Sequence, residues 1–285
     1  MNLPFSSKTI HFQNVDGLHY LMNSVDNDSI DLVLTDPPYI ISKPSGMNTH
    51  YNNVHKQNKK LTKTDQEWQI YKKENGILDD KNRSNFMKYG TIYGKRYCVQ
   101  TMYGDWDETK FTMELLDEYI GQYFQKLKAG GTLILFCDLW KISMIRDIFE
   151  KYKFKQIRFI EWIKTNPQPR NSKINYLTNC REIALTAVKK SKPTFNSNQD
   201  NGIYFFPFPS HNRQHSAQKS LKLFEELIRK HTNENDVVLD TFLGSGTTLI
   251  ACQNTNRKFK GCEISNKYFE HINKLICCEN AVYKK

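Results

Sequence analysis

Short, nearly unbroken apolar runs alternate along this chain with segments of helical spacing, and that alternation limits the fold more than any other feature. A run such as Leu133-Ile134-Leu135-Phe136 leaves no polar face for water. A strand containing it must be covered on both sides, as in a parallel sheet between two helical layers. Strands are expected at Ile10–Gln13, Asp31–Thr35, Thr132–Cys137, Gln156–Trp162, Ile183–Val188, Val237–Asp240 and Phe259–Ile264. Helices are expected at Leu115–Leu127, Leu221–His231, Thr247–Gln253 and Tyr268–Ile276, and the first should stop on Lys128-Ala129-Gly130-Gly131. The fold class is therefore α/β, a doubly wound and mostly parallel sheet with ligands at the carboxyl ends of its strands.

At 285 residues the chain suffices for one large α/β domain, 1–285, or two small ones, and two stretches interrupt the alternation. Residues 43–104 are rich in Asn, Lys and Tyr with little regular pattern, and residues 189–214 are polar and then aromatic. Loops of this length inside a domain carry function or are disordered. The first interruption holds twelve Lys and Arg against five Asp and Glu, most of the net +11 of the whole chain. Lys43, Lys59, Lys60, Lys72 and Lys73 lie there among Tyr51, Trp68, Tyr71, Tyr89 and Tyr93. Cations interleaved with aromatic rings suit a nucleic-acid surface. Seven cysteines, none in a C-x-x-C pair, indicate reduced thiols, with neither a disulfide scaffold nor a structural metal. No apolar run is long enough to span a bilayer and the start has no secretory pattern, so a cytoplasmic protein with no membrane partner is expected.

Two motifs carry chemistry. Asp36-Pro37-Pro38-Tyr39 follows the run Leu32-Val33-Leu34. Two prolines stiffen the turn, so the Asp36 carboxylate and the Pro37 carbonyl become two fixed acceptors beside the face of Tyr39. A planar exocyclic amine stacked on Tyr39 could donate to both, although an ordinary Asp-Pro turn fits the same residues. The second motif, Asp240-Thr241-Phe242-Leu243-Gly244-Ser245-Gly246-Thr247-Thr248, joins a strand to a helix. It has no Lys after Gly246 and Leu249 where a dinucleotide turn has its third glycine, so it is built for a nucleoside without phosphates. Glu263, 23 residues after Asp240, is placed to meet ribose hydroxyls.

Taken together, these motifs resemble the S-adenosylmethionine-dependent amino-methyltransferases of DNA, N6-adenine or N4-cytosine, in the permuted β-class order with D-P-P-Y first. The resemblance covers nearly the whole chain. It implies a Rossmann-like methyltransferase sheet with inserted DNA-recognition loops. Asn14-Val15-Asp16-Gly17 is similar to the segment whose acidic residue lies near the cofactor adenine. Trp162-Ile163-Lys164-Thr165-Asn166-Pro167 resembles a stretch lining the target-base pocket, and His215-Ser216-Ala217-Gln218-Lys219 an element ahead of the last helix–strand–loop unit, although Ser220 stands where the family usually has Pro.

By this resemblance Asp36, Pro37, Pro38 and Tyr39 are catalytic. Asp16, Asp36, His215, Lys219, Asp240, Phe242, Gly244, Ser245, Gly246, Thr247, Thr248 and Glu263 hold the cofactor. Trp162, Lys164 and Asn166 join the basic insert against DNA, and 170–214 becomes the target-recognition segment. DNA is the implied partner, with a second copy of the chain and a cognate restriction endonuclease left open. D-P-P-Y goes mainly with adenine N6, whereas cytosine N4 enzymes more often have Ser for Asp. The expected reaction is methyl transfer to adenine N6 after base flipping; cytosine N4, RNA or a catalytically silent binding subunit are the alternatives.

Overall fold

In the computed structural model of the chain, the described residues are 10–39, 63–92, 111–167, 179–209 and 218–282. The chain divides into two compact units, Met1–Ile40 with Asp105–Lys285, and Ile41–Gly104.

The larger unit contains an eight-stranded sheet in the order β1-β8-β7-β2-β3-β5-β4-β6. Its strands are β1 (Ile10–Gln13), β2 (Ile30–Thr35), β3 (Leu127–Cys137), β4 (Lys155–Lys164), β5 (Arg181–Val188), β6 (Ile203–Phe206), β7 (Val237–Asp240) and β8 (Lys258–Cys262). Every neighbouring pair is parallel except those that β5 makes with β3 and β4. The predicted parallel α/β class is the observed one. One edge of the sheet therefore collects the carboxyl ends of seven strands together with the first residues of β5.

Side chains alternate across the sheet. Val33 with Leu133, Leu135 and Cys137 enters one core, and Leu32 and Leu34 with Ile134 and Phe136 enter the other. That is why the runs read as apolar throughout. The first core is closed by α1 (Gly17–Ser24), α4 (Met113–Lys126) and α5 (Ile142–Lys151), the second by α6 (Leu221–His231), α7 (Thr247–Asn254) and α8 (Asn266–Val282). Helices α1 and α5 and strand β6 are additional to the expected elements.

The predicted glycine stop is not where the chain turns. Helix α4 ends at Lys126, and Leu127 already has extended backbone and begins β3. The carbonyls of Gln125 and Leu127 are capped instead by the ammonium of Lys189, at 3.3 and 2.6 Å, which also pairs with Asp28 at 2.7 Å. Lys189 lies in the segment 170–214 that the resemblance gave to target recognition; it is buried here and serves as a helix cap. Gly130 lies inside β3 with φ of 88°, donating to the Lys189 carbonyl, and the register with β2 jumps from Ile30–Leu127 to Leu32–Thr132. A Cβ at Gly130 would sit 2.6 Å from the Lys192 carbonyl oxygen, so the bulge requires glycine. Strand β8 starts one residue earlier than expected and ends at Cys262, two residues short.

In the smaller unit, residues 63–92 form α2 (Asp65–Asn75) and α3 (Arg83–Tyr89), where the sequence showed little regular pattern. Thr64 and Glu67 make a reciprocal cap at the start of α2. Trp68 is fully buried, packs on Tyr71 and Phe86, and donates to Asp80 at 2.7 Å. Trp68 and Tyr71 are thus this unit's own small core rather than an open stacking surface.

Among the described residues, no helix is long and apolar enough to cross a membrane, and no cluster of three or more His, Cys, Asp or Glu could hold a metal ion.

Candidate active site

The two motifs meet because β2 and β7 are adjacent parallel strands, with Leu32 opposite Val238 and Val33 opposite Leu239. Their carboxyl ends lie side by side, a strand spacing apart. A buried hydrogen bond closes the junction: Thr35, immediately before Asp36, donates its hydroxyl to Asp240 Oδ1 at 2.7 Å.

Asp240 is held by three donors. Oδ1 also accepts from the Phe242 amide at 3.0 Å, and Oδ2 accepts from the Thr248 hydroxyl at 2.5 Å. Burial pushes its pKa up, and those three donors oppose the shift. Asp240 thus ties the Asp36–Tyr39 turn, the glycine turn and the first turn of α7 into one piece. The resemblance placed Asp240 among the residues that hold the cofactor; in the structure its carboxylate holds this junction.

The glycine turn keeps left-handed backbone at Gly244 (φ 53°) and Gly246 (φ 84°). At Gly246 a side chain would also crowd Ile272, so glycine is needed there twice over. Glu263 grips the turn from β8, accepting from the Gly244 amide at 2.7 Å and the Ser265 amide at 2.8 Å. Burial raises the Glu263 pKa against those two amides. The hydroxyls of Ser245 and Thr247 share a hydrogen bond of 3.1 Å. Phe242 meets Phe111 edge-on and packs on Tyr119.

At the end of β1, exposed Asp16 caps α1, accepting from the Leu18 and His19 amides. Asn14 bonds the Glu263 and Ile264 carbonyls and so fixes the β1 and β8 ends together. The row of strand ends β1, β8 and β7 thus carries carboxylates, hydroxyls and backbone amides, with no Lys or Arg from 240 to 249. That donor set fits a cationic, phosphate-free nucleoside and not a nucleotide.

On the other side of β2, Asp36 is held by a residue expected elsewhere. Lys219, just ahead of α6, was assigned to the cofactor. Its ammonium instead lies 2.9 Å from Asp36 Oδ2, 2.5 Å from Glu182 Oε2 and 3.1 Å from the Tyr39 hydroxyl. Glu182 Oε1 pairs with Lys164 at 2.5 Å. Burial raises the Asp36 pKa to about 6; Lys219 opposes the shift and Glu182 adds to it. Burial also pushes Glu182 up, but the two lysines outweigh it and hold it at about 2. Tyr39 remains a phenol, its pKa driven up by burial and by both carboxylates. Among the described residues, Asp36 Oδ1 is buried and has no hydrogen-bond partner.

Glu182 was absent from the sequence reading. The only trace it leaves is a charged residue opening an apolar strand, which becomes meaningful once β5 is antiparallel and starts at the carboxyl edge.

Trp162 was expected to line a base pocket. It is wholly buried and donates its indole N–H to the Phe206 carbonyl at 2.9 Å, because its side of β4 faces the second core. Asn166 exchanges two hydrogen bonds with the Phe208 backbone, which ties the chain after β6 to β4. The stretch 170–214 includes β5 and β6, both bonded into the sheet. In the smaller unit Lys72 pairs with Asp80 at 2.9 Å, and Lys73 is exposed. Lys43, Lys59, Lys60 and His215 lie outside the described residues.

Residues 30–274 match the family model for N6 and N4 methyltransferases, described as DNA methylase. The type II methyltransferase M2.LlaDCHI of Lactococcus lactis subsp. cremoris is 30% identical over 192 residues, 61% of this chain and 71% of that protein. The type II methyltransferase M2.MboI of Moraxella bovis is 27% identical over 267 residues, 87% and 81% of the two chains. Among solved structures, the M1.HpyAVI–SAM complex superposes with a TM-score of 0.61 at 26% identity, covering 94% of this chain and 98% of that one. The cytosine-N4-specific PvuII DNA methyltransferase superposes at 0.58 with 16% identity, over 91% and 83%, a likeness of fold.

Proposed function

The chain belongs to the N6/N4 DNA methylase family, and from that membership we propose that it methylates the N6 amine of adenine in DNA after the base has swung out of the duplex. S-adenosylmethionine, its cofactor, supplies the methyl group as a sulfonium whose departure needs no acid. The glycine turn, with Glu263 and Asp16 just past the ends of the flanking strands, is the set of residues that would hold it.

The observation that carries the reading is the unpartnered Oδ1 of Asp36, a buried acceptor beside Tyr39 and one strand from the glycine turn. A buried acceptor without a donor costs roughly 1–3 kcal/mol, a cost an incoming N–H relieves. An exocyclic amine is a weak nucleophile because its lone pair is shared with the ring. Donation to Oδ1 and to the Pro37 carbonyl favours a pyramidal nitrogen, and positioning supplies most of the rate. Stacking on Tyr39 returns roughly 1–3 kcal/mol of the cost of flipping. Adenine is favoured over cytosine because the acceptor is Asp36 and not Ser. DNA from a host expressing the chain, sequenced with modified-base detection, is expected to carry N6-methyladenine at a fixed site. N4-methylcytosine in its place would move the proposal to cytosine, and unmodified DNA would end it.

The sign of the pH response follows from Asp36. Only the ionised carboxylate accepts from the amine, and its pKa stands at about 6. The kcat/KM for DNA, which reports the free enzyme, is therefore expected to fall as pH drops through about 6, approaching tenfold per unit below it. A flat profile down to about pH 5 would remove the carboxylate from the mechanism.

The unit Ile41–Gly104 is assigned to phosphate contacts. Lys73, Lys81 and Lys88 are exposed on its described part. Replacing all three by Gln should lower the slope of log affinity against log salt by about 2–3, since each neutralised phosphate contributes about 0.9. An unchanged slope would make these lysines solubilising only.

A further inference from the structure

Four charged side chains from four separate places in the fold converge behind the catalytic turn: Asp36 after β2, Lys219 before α6, Glu182 at the start of β5 and Lys164 at the end of β4. We propose that Glu182 and Lys219 are positioning residues for methyl transfer. They pin Oδ2 of Asp36 so that Oδ1 alone is left for the amine, and they anchor the hydroxyl of Tyr39 so that its ring presents a fixed face. This rests on Asp36 being the amine acceptor.

Lys219 has three N–H groups and three acceptors, one each on Asp36, Glu182 and Tyr39. None remains for a ligand, so the ammonium acts through its neighbours. Glu182 touches both the Lys219 ammonium and, at 3.4 Å, the Tyr39 hydroxyl. Its other oxygen is held by Lys164, which also lies over the rings of Trp162 and Phe208. Two cations and two anions balance, so the cluster can stay dry without neutralising any member.

The groups that act on Asp36 can be named from every side. Lys219 and Glu182 face it directly, Tyr39 lies on its own segment, and Cys137 at the end of β3 is a neutral thiol raised to about 12. Lys164 reaches it through Glu182, and Lys141 lines the same cleft as Pro37 and Tyr39.

A purely structural ion cluster and a positioning pair differ in one readout. Lys219 favours the ionised form of Asp36 and Glu182 opposes it. The test measures kcat/KM against pH on unmethylated genomic DNA with tritiated S-adenosylmethionine, for the wild type, Lys219→Met and Glu182→Gln, alongside calorimetric titration with the same cofactor. The acid limb is expected to move up by about one pH unit or more in Lys219→Met and down by a similar amount in Glu182→Gln. Cofactor affinity should stay within about threefold. Limbs that stay put, or that move together, overturn the proposal.

Should the neutral variants lose cofactor binding, Lys219→Arg and Glu182→Asp keep both charges while changing reach. A kcat at least about tenfold lower at unchanged KM for the cofactor supports positioning, and wild-type kcat in either overturns it. A wild type that transfers no methyl to DNA would overturn the methyltransferase reading as well. An active wild type with unmoved limbs overturns only this one.

Discussion

Asp36→Ala is expected to lower single-turnover methyl transfer by about a thousandfold or more, with cofactor affinity nearly unchanged. Removing one preorganised polar partner of a reacting group typically costs 10²–10³, and here the loss also frees the amine from its fixed orientation. Asp36 makes no bond to the glycine turn, whose contacts run through Asp240 and Glu263. Lys219 would keep Glu182 and Tyr39 as acceptors, so the vacated position does not leave an unpaired buried cation. Asp36→Asn is the sharper variant. Asparagine has the same shape with one donor end, and Lys219 at 2.9 Å decides which end it meets. An amide nitrogen facing an ammonium would set donor against donor. The amide oxygen must therefore turn to Lys219, and the NH2 must take the place of Oδ1, where the substrate amine needs an acceptor. Asn should consequently be as inactive as Ala. More than about a tenth of wild-type rate in Asp36→Asn would show that Oδ1 is not the acceptor.

What the sequence reveals about this site follows the range of the interactions involved. The strand β7 and the helix α6 are found at their predicted bounds, since both are set by local patterning and closed by local breaks. The two motifs are legible because each is a contiguous turn with its own backbone demand, proline stiffness in one and left-handed glycine in the other. The bond that joins them is not, since Thr35 and Asp240 lie 205 positions apart and nothing local to either announces the other. The same holds for Glu182 and Lys219, 37 apart, whose roles depend on β5 running against its neighbours. Periodicity also fails where a polar residue replaces a local stop. The α4 end looked like a glycine cap, but Lys189 brings the capping charge from the far end of β5. Residues 63–92 were read as irregular because two short helices around one buried Trp68 hold too few apolar residues to show a period.

The remaining large effect concerns Asp240, where two readings of one carboxylate part company. If it serves a positively charged ligand, its charge matters and its neighbours do not. If it is the junction between β2, the glycine turn and α7, its shape and lone pairs matter. Asp240→Ala would leave the Thr35 and Thr248 hydroxyls and the Phe242 amide without their acceptor in a buried place. At roughly 1–3 kcal/mol for each stranded group, with partial relief as the hydroxyls rotate, the expected loss is about 3–5 kcal/mol. That is a large part of the ~5–15 kcal/mol of a typical domain. Cofactor binding should disappear with it, because Gly244 and Gly246 lose the frame that sets their conformation. Asp240→Asn separates the readings. Its oxygen can still accept from Phe242 and Thr35, its nitrogen can donate to a turned Thr248 hydroxyl, and no buried charge remains to be solvated. Denaturant midpoints and calorimetric titration should therefore place Asn within about 1–2 kcal/mol of wild type and within about tenfold in cofactor affinity, far from Ala. A folded Asn variant that has lost about a hundredfold or more in cofactor affinity would return the carboxylate's charge to the ligand and leave the junction to the threonines alone.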